Sequence, residues 1–264
     1  MYETNYHRAS SVEDAASKVS GADDGKFLAG GMTLLPTMKA RLAAPSDLVD
    51  LTHVESMHGI SSEGGTVKIG AMTTHHDVHT SAAVKSACPA LAELAGWIGD
   101  PAVRHRGTIG GSVANNDPAA DYPSALLALG ATIHTNKREI AADDFFTGMF
   151  ETALEDDEII TAVSFSAPEA AAYEKFRNPA SRYAMAGVFV AKTGGGVRVA
   201  VTGAGSDGVF RASDMEAALA SNMSADALDG CDQDAGRMLS DIHGTSQYRA
   251  HLVKVMAKRA VAKM

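Results

Sequence analysis

The sequence predicts a mixed fold of helices and strands, either α/β or α+β, built as one large or two modest domains. Segments with helical spacing of apolar residues alternate with short apolar runs typical of strands throughout the 264 residues. The composition, 45% hydrophobic and 21% charged, is that of a soluble globular protein. Since 25 glycines accompany only 8 Phe, 6 Tyr and 1 Trp, the core must rest on aliphatic side chains, and tight turns are expected.

Charge and cysteine content exclude several classes of function. Asp and Glu outnumber Lys and Arg by 32 to 23, and the formal net charge of −9 argues against wholesale binding of a nucleic acid backbone. Cys88 and Cys231 are far apart, so no [2Fe–2S] cluster, all-cysteine zinc site or disulfide framework is expected in the chain. Sparse cysteines, an N-terminus without an apolar core and no run of about 20 apolar residues predict a cytoplasmic protein without a membrane span.

The first two thirds of the chain predict alternating helices and strands. A serine cap predicts a helix over 11–20, and a strand over 26–29 is followed by Gly30 and Gly31. The remaining expected elements are a helix over 33–42, a strand over 47–51, a turn over 59–65, a strand over 66–71, a helix over 81–99, a buried helix over 124–129, a strand over 131–135, a turn over 145–148 and a strand over 159–165.

A domain boundary is expected near Pro168 and the alanine-rich segment 169–172. Beyond it, two strands over 188–192 and 197–203 flank a glycine-rich hairpin turn at 193–196. Helices are expected over 213–220, 224–229, 231–240 and 246–262. This part of the chain therefore predicts a small sheet with helices.

Gly30 and Gly31 lie between a predicted strand and a predicted helix. Free amide groups and the positive end of a helix dipole favour an anion there, and glycine lets a phosphate approach the backbone closely. Neither a Walker motif nor the G-x-G-x-x-G pattern is present, so on this evidence alone the loop is a weak phosphate signal.

A second glycine loop, GTIGGS at 107–112, continues into a segment rich in Asn and Asp. It predicts further backbone donors and hydroxyls, and Asn115, Asn116, Asp117 and Asp121 are suited to sugar hydroxyls. Two such loops brought together would fit a ligand with two phosphates and a polyol. The alternative is that residues 107–123 form only a tight, Asx-rich turn.

Three long motifs resemble a known family. AGGMTLLPTMKARL at 29–42, IGDPAVRHRGTIGGSVANNDPAADYPSALLALGA at 98–131 and YEKFRNPASRYAMAGV at 173–188 are similar to the FAD-binding medium subunit of molybdenum hydroxylases, the group that includes aerobic carbon monoxide dehydrogenase and xanthine dehydrogenase-type enzymes. The similarity extends to DIHGTSQYRAHLVKVMAKRAV at the C-terminus. It implies a PCMH/vanillyl-alcohol-oxidase-type FAD-binding domain over 1–167, with lobes of about 1–52 and 53–167, and a C-terminal α+β domain over 168–264 with a three-stranded sheet and helices.

The resemblance also implies a set of FAD-binding residues. The first loop would wrap the pyrophosphate, the second would hold phosphate and ribityl groups, and two apolar positions would pack on the rings. Lys175 matches a basic residue near the isoalloxazine, whose charge would favour the anionic reduced flavin. The implied cofactor-binding residues are Ala29, Gly30, Gly31, Met32, Thr33, Leu34, Leu35, Ile98, Thr108, Ile109, Gly110, Gly111, Ser112, Asn115, Asp121, Ile160 and Lys175. No residue matches a catalytic or metal-ligating position.

Two positions depart from the family pattern. Where relatives often have an acid in S-D-Y-A, this chain has Arg182, so the role of that position is not carried over. Met32 stands at a loop position that is commonly more polar, which preserves backbone contacts and removes a side-chain donor.

Other residue clusters have simpler interpretations. The histidines at 53, 58, 75, 76 and 79 favour a solvated surface over a metal site, and the acidic run at 155–158 favours an exposed turn. Tyr173, Phe176 and Tyr183 are expected in the core, with ring contact to a flavin open for Tyr183. Cys88, before Pro89, is expected to be buried and inert.

The function implied by the resemblance is an electron-transfer subunit of an oxidoreductase. FAD would take electrons from [2Fe–2S] clusters on a small partner subunit and pass them to NAD, a quinone or oxygen, while a molybdopterin-containing large subunit hydroxylates the substrate. A dimer of heterotrimers is the implied assembly. A stand-alone flavin oxidoreductase of the same fold and a non-catalytic nucleotide-binding module remain the alternatives.

Overall fold

The computed structural model describes residues 1–264. Its first sheet is three-stranded and parallel, in the order β1-β3-β2. The elements are β1 (Asn5–Arg8), α1 (Val12–Ser20), β2 (Gly25–Leu28), α2 (Leu34–Lys39) and β3 (Asp47–Asp50). Ser11 caps α1 as predicted by accepting from the Asp14 amide at 3.1 Å. Helix α2 is shorter than predicted and ends before Arg41, which has a left-handed backbone with φ of 60°.

A five-stranded antiparallel sheet follows, in the order β4-β5-β10-β6-β7. Its strands are β4 (Ile60–Glu63), β5 (Thr66–Gly70), β6 (Thr132–Thr135), β7 (Glu139–Ala141) and β10 (Ile160–Ser166), and β8 (Phe146–Gly148) and β9 (Glu151–Thr152) form a separate hairpin. The helices between them are α3 (His75–Thr80), α4 (Ala82–Ala87), α5 (Pro89–Gly96), α6 (Pro101–Arg104), α7 (Ile109–Asn115), α8 (Tyr122–Leu129) and α9 (Ala142–Phe145), with a 3₁₀ turn at Glu55–Met57.

Three expectations in this region need correction. Residues 60–63 form a strand because the turn uses only Gly64 and Gly65, which both have positive φ. The helix expected over 81–99 breaks at Cys88, since the residue before a proline is pushed out of helical backbone. Segment 145–148 is the end of α9 followed by β8 rather than a turn. The predicted buried helix is confirmed, because every residue of α8 is buried.

The C-terminal sheet is four-stranded, in the order β11-β12-β13-β14. It contains β11 (Ala170–Arg177), β12 (Ala184–Thr193), β13 (Gly196–Thr202) and β14 (Phe210–Arg211), packed against α10 (Ser213–Ser221) and α11 (Ser246–Val261), with 3₁₀ turns at Ala225–Leu228 and Ala235–Arg237. The predicted three-stranded sheet thus gains a two-residue edge strand. The helix expected over 231–240 is wrong, since only the short turn at 235–237 forms there.

The C-terminal sheet is buried on both faces. One face packs against α10 and α11, with Val188, Val190 and Met256 in a common apolar cluster. The other face contacts α8, and Tyr173 and Phe189 join the core of residues 1–167. The predicted α+β class is confirmed. None of the helices combines the length and hydropathy needed to cross a bilayer.

Candidate functional site

A cavity of about 670 Å³ lies where the first sheet, the second sheet and the β11–β12 loop meet. Its wall is formed by residues from 26–34, 98–121, 150–160 and 181–183, together with apolar side chains such as Leu51 and Met72. This volume is within the range of small-molecule and cofactor sites. Fourteen of the implied cofactor-binding residues line it: Ala29, Gly30, Gly31, Met32, Thr33, Leu34, Ile98, Thr108, Gly110, Gly111, Ser112, Asn115, Asp121 and Ile160.

The first glycine loop presents a row of free backbone donors to this cavity. The five amide N–H groups from Gly30 to Leu34 donate to no acceptor in the protein, although all five residues line the wall. Gly31 has φ of +72°, which turns the chain from β2 into α2 at little conformational cost. Unpaired amides before a helix are a binding site for an anion, so the structure supports the prediction for this loop.

The two glycine loops touch each other. A Cβ on Gly30 would lie 2.0 Å from the Arg106 carbonyl oxygen and 2.8 Å from the Gly107 Cα. Gly111 lies next to Ala29 in the same way, with 3.3 Å from its built Cβ to the alanine methyl. Gly30 is therefore required for packing between the loops.

The second glycine loop does not offer the predicted set of free amides. The Ile109 and Gly110 amides donate to the carbonyls of Thr73 (3.0 Å) and Ala71 (2.8 Å). Those of Gly111 and Ser112 are taken by the Thr108 hydroxyl and carbonyl, both at 3.1 Å. These hydrogen bonds attach α7 to the end of β5. The groups of this segment that can still donate to a ligand are therefore mainly side chains.

Ser112 and Asn115 are the available side chains of this segment. Both line the cavity, and neither side chain has a hydrogen-bond partner in the protein. The neighbouring Asn116 is different, because it is buried, adopts φ of 41° and donates from Nδ2 to the carbonyls of Gly148 and Glu151, each at 2.8 Å. Asn116 is thus a structural residue rather than a sugar ligand.

Asp121 anchors a buried polar cluster at the cavity wall. Its carboxylate accepts hydrogen bonds from the Tyr173 hydroxyl and from Lys175 Nζ, the latter at 3.0 Å from Oδ2. Lys175 Nζ also donates to the Trp97 carbonyl at 3.1 Å. Burial raises the pKa of Asp121 and lowers that of Lys175, while the attraction between the two charges opposes both shifts. The cluster joins β11 to the first residues of α8.

Three of the implied binding residues do not reach the cavity wall. Ile109 is completely buried behind the second loop, and Leu35 packs against Gly31. The Lys175 side chain is fully buried behind Asp121. Its positive charge is therefore paired with that carboxylate and does not face a ligand in the cavity. Ile98 and Ile160 contribute apolar side chains to the cavity wall.

His75 was missed as a cavity residue. It is buried rather than solvated, lines the cavity and packs against Tyr122 with ring centroids 5.4 Å apart. Burial lowers its pKa to about 4, helped by repulsion from Arg104, so the ring is neutral near pH 7. Its Nδ1 has no hydrogen-bond partner. A histidine at the first position of α3 with a threonine cap before it was the only available signal.

The acidic run at 155–158 is not simply an exposed turn. Glu155, Asp156 and Glu158 line the cavity, and the Glu158 side chain is fully buried. Arg138 forms a two-point ion pair with Glu158, with both N–O distances 3.0 Å, and this hydrogen bonding lowers the pKa of Glu158 to about 2.

Tyr183 is also misplaced by the prediction of a core position. It is 47% exposed and lines the cavity together with Ser181 and Arg182, in the loop between β11 and β12. Tyr173 and Cys88 are buried as expected, and burial raises the pKa of the Cys88 thiol to about 11. The loop was difficult to place because it lies far along the chain from the two glycine loops.

Comparison with known proteins identifies the family of the chain. The family described as "FAD binding domain in molybdopterin dehydrogenase" matches residues 2–168, which include the row of free amides and the second glycine loop. The chain belongs to this family. Its cofactor is FAD, and the predicted identity as an FAD-dependent oxidoreductase subunit is confirmed.

Similarity to members of this molybdopterin dehydrogenase family extends over nearly the whole chain. The nicotine 6-hydroxylase medium subunit of Paenarthrobacter nicotinovorans is 36% identical over 97% of this chain and 95% of its own length. The carbon monoxide dehydrogenase medium chain of Afipia carboxidovorans is 34% identical with the same coverage. A solved chain of carbon monoxide dehydrogenase from Hydrogenophaga pseudoflava superposes with a TM-score of 0.86, at 35% identity, and covers 98% of this chain and 96% of that one.

Proposed function

We propose that this protein is the electron-transfer subunit of a molybdenum hydroxylase complex, a medium chain like that of carbon monoxide dehydrogenase. The observation that carries the proposal is the row of unpaired amides from Gly30 to Leu34, which faces a cavity of cofactor size in a chain of this FAD-binding family. When bound, FAD supplies a carrier of two electrons between one-electron centres and a final acceptor.

The residues of this chain bind and orient the cofactor in three ways. The amides of the first loop bind its pyrophosphate, and the side chains of Ser112 and Asn115 bind its polyol. Ile98 and Ile160 pack against its rings and exclude water. Asp121 is held rigid by Tyr173 and Lys175, so its position at the wall does not depend on the ligand.

The small number of cysteines indicates which redox centres belong to other chains. Cys88 and Cys231 are both unpaired and lie in separate apolar clusters, so this chain has no cysteines to hold iron–sulfur clusters. We propose a [2Fe–2S] small subunit and a molybdopterin-containing large subunit as partners, in a dimer of heterotrimers. Two free cysteines are typical of a protein in a reducing compartment, which supports a location in the cytoplasm.

The proposed domains are a PCMH-type FAD-binding domain over 1–167, with lobes of about 1–52 and 53–167, and a second domain over 168–264. Strand pairing supports this division, since no sheet mixes strands from 1–52, 53–167 and 168–264. Asp121 and Lys175 nevertheless bridge the two domains at the cavity, so both are needed for the complete site.

Purification of the chain alone tests the cofactor and the partner proposals separately. The protein, reconstituted with FAD and desalted, is expected to keep a flavin absorbance band and to leave it oxidised when organic substrates are added. Bleaching by a substrate without partners would show a stand-alone flavin oxidoreductase. A protein that stays colourless after reconstitution would be a nucleotide-binding module. Affinity purification from the native host is expected to recover an iron–sulfur chain and a molybdenum-containing chain.

A further inference from the structure

His75 is a buried histidine that the second glycine loop holds at the cavity wall. Its backbone amide donates to the Gly107 carbonyl at 2.9 Å, and Thr74 and Thr108 form an isolated β-bridge beside this bond. Its ring packs on Tyr122, which is itself completely buried. The imidazole therefore has a defined place on the wall that does not depend on a ligand.

The two ring nitrogens of His75 have different surroundings. Nδ1 is sealed from solvent and has no hydrogen-bond partner. Nε2 lies against Gly107, where a built Cβ would be only 2.5 Å away, and both residues line the cavity. Any side chain at position 107 would cover Nε2, so the glycine at this position leaves that nitrogen open toward the cavity.

The ring presents a neutral donor on its cavity side. Burial lowers the pKa of His75 to about 4, so near pH 7 the imidazole carries a single N–H. A buried N–H group without an acceptor is a rarer arrangement in proteins than a buried acceptor without a donor. We therefore assign the proton to Nε2 and the lone pair to the sealed Nδ1.

Gly107 places this donor beside the first glycine loop. A Cβ built on Gly30 would lie 2.8 Å from the Gly107 Cα, so Gly107 stands next to the start of the row of unpaired amides. The cavity wall also carries five carboxyl side chains, those of Asp117, Asp121, Glu155, Asp156 and Glu158. Because negative charges disfavour a bound phosphate, each further N–H donor beside these amides matters for its binding.

We propose that His75 donates a hydrogen bond from Nε2 to the pyrophosphate of FAD and so extends the donor set formed by the amides of the first glycine loop. The inference rests on the proposed function and adds a cofactor-binding residue to it. A polar atom that is buried without a partner destabilises the folded protein, so the sealed Nδ1 is a cost of placing a histidine here. His75 is thus suited to the ligand rather than to the stability of the fold.

Substitution of His75 separates ligand binding from a structural role. His75→Leu is expected to raise the Kd for FAD at least about tenfold, measured by flavin fluorescence, because a hydrogen bond to a charged group is lost. The urea midpoint of its apoprotein should stay the same or rise, since an unpartnered polar group is removed. His75→Gln, whose amide reaches the Nε2 position, should recover most of the affinity, whereas the shorter His75→Asn should not.

His76→Leu is the matched control, because His76 follows in the same helix, stacks on His105 and does not line the cavity. It should leave the Kd for FAD within about twofold of the wild-type value. ADP, which carries the pyrophosphate without the flavin or its polyol, identifies the contacted group. In competition with FAD, ADP should lose affinity for His75→Leu by the same factor as FAD does.

Several results would overturn the assignment. An unchanged affinity for ADP in His75→Leu would place the contact on another part of FAD. A lower urea midpoint with an unchanged Kd for FAD, or a failure of His75→Gln to recover affinity, would show a structural role. Nitrogen NMR of the FAD-loaded wild-type protein with ¹⁵N-labelled histidine needs no variant that folds, and an unprotonated Nε2 would also refute the proposal. A wild-type protein that binds no FAD would instead refute the proposed function.

Discussion

The two glycine loops have similar sequences but present different chemical groups to the cavity. From Gly30 to Leu34, the first loop leaves its backbone amides unpaired. From Ile109 to Ser112, the second loop uses every amide within the protein, and the side chains of Ser112 and Asn115 are what remain free. Under the proposed function, the first loop binds FAD through its backbone and the second through side chains, so substitutions of side chains should affect FAD binding mainly in the second loop.

The difference also shows that glycine has two uses in this site. Gly31 permits a positive φ, whereas Gly30 and Gly110 permit close approach between segments of the protein itself. A Cβ on Gly110 would lie 2.5 Å from the Ala71 methyl carbon. Most of these glycines therefore shape the cavity instead of touching the cofactor, and loss of FAD binding on their substitution would follow from misfolding.

Gly30→Ala is expected to have the largest effect. The new methyl carbon would meet the Arg106 carbonyl oxygen at 2.0 Å, and that oxygen belongs to backbone that cannot move alone. We expect the free energy of unfolding of the apoprotein to fall by about 3 kcal/mol or more in urea denaturation. Gly195→Ala, in an open hairpin turn, is the control and should change it by less than about 1 kcal/mol. Wild-type stability in Gly30→Ala would show that the loops are not in contact.

Lys175→Met is expected to have the second-largest effect on stability, because it leaves the Asp121 carboxylate buried without its cation. Removal of one partner of a buried ion pair costs roughly 3 to 5 kcal/mol in unfolding free energy. Burial holds the folded-state pKa of Asp121 above its unfolded value, so the folded state binds the proton more tightly and the deficit should shrink as the pH falls from 7 toward 4.

Lys254→Met provides the control for this effect, since Lys254 pairs with the largely exposed Asp232. Its cost should stay below about 1 kcal/mol at either pH. The double variant Asp121→Asn with Lys175→Met should recover most of the lost stability. A deficit in Lys175→Met that is independent of pH would contradict the explanation by an unpaired buried charge.

Adjacent asparagines separate binding from structure in the second loop. Asn115→Ala should raise the Kd for FAD about tenfold, measured by flavin fluorescence, and leave the apoprotein stability unchanged. Asn116→Ala should instead lower the unfolding free energy by about 1 to 3 kcal/mol, because the carbonyls of Gly148 and Glu151 lose the donor that the buried Asn116 supplies. If both variants behaved alike, the assignment of Asn115 to the ligand would be refuted.

Met32→Ala is expected to have the smallest effect. The side chain is 39% exposed, and the loop binds through its amides, which the substitution keeps. The Kd for FAD should stay within about twofold of the wild-type value in the same fluorescence titration. A larger increase would mean that the first loop, like the second, binds through side chains.

The sequence predicted the fold best where local signals agreed with burial. The Ser11 cap, the apolar run of α8 and the glycine hairpin at 193–196 each specify an element without help from the rest of the chain. The helix over 231–240 failed because Asp232, Asp234 and Gly236 have low helix propensity, and only the 3₁₀ turn at Ala235–Arg237, capped by Asp234, forms there. Strand β14 has only two residues and is too short to leave a pattern.

The site was predicted in outline, because glycine loops leave a motif while cavity walls do not. Fourteen positions reached the wall, yet His75, the acidic run and Tyr183 became wall residues only through tertiary packing. Whether an amide is free also depends on distant partners, such as Ala71 for Gly110. Sequence patterns therefore located the loops but could not say which of their groups are available to a ligand.

Strand β11 has a consequence for recombination between relatives. Tyr173 and Lys175 alternate with residues that face α11, so one strand carries both the core of its own domain and the two partners of Asp121. A chimera that joined residues 1–167 to the second half of a distant relative would inherit whatever stands at these two positions. Modular exchange should therefore succeed only when the second half supplies a tyrosine and a lysine at positions 173 and 175.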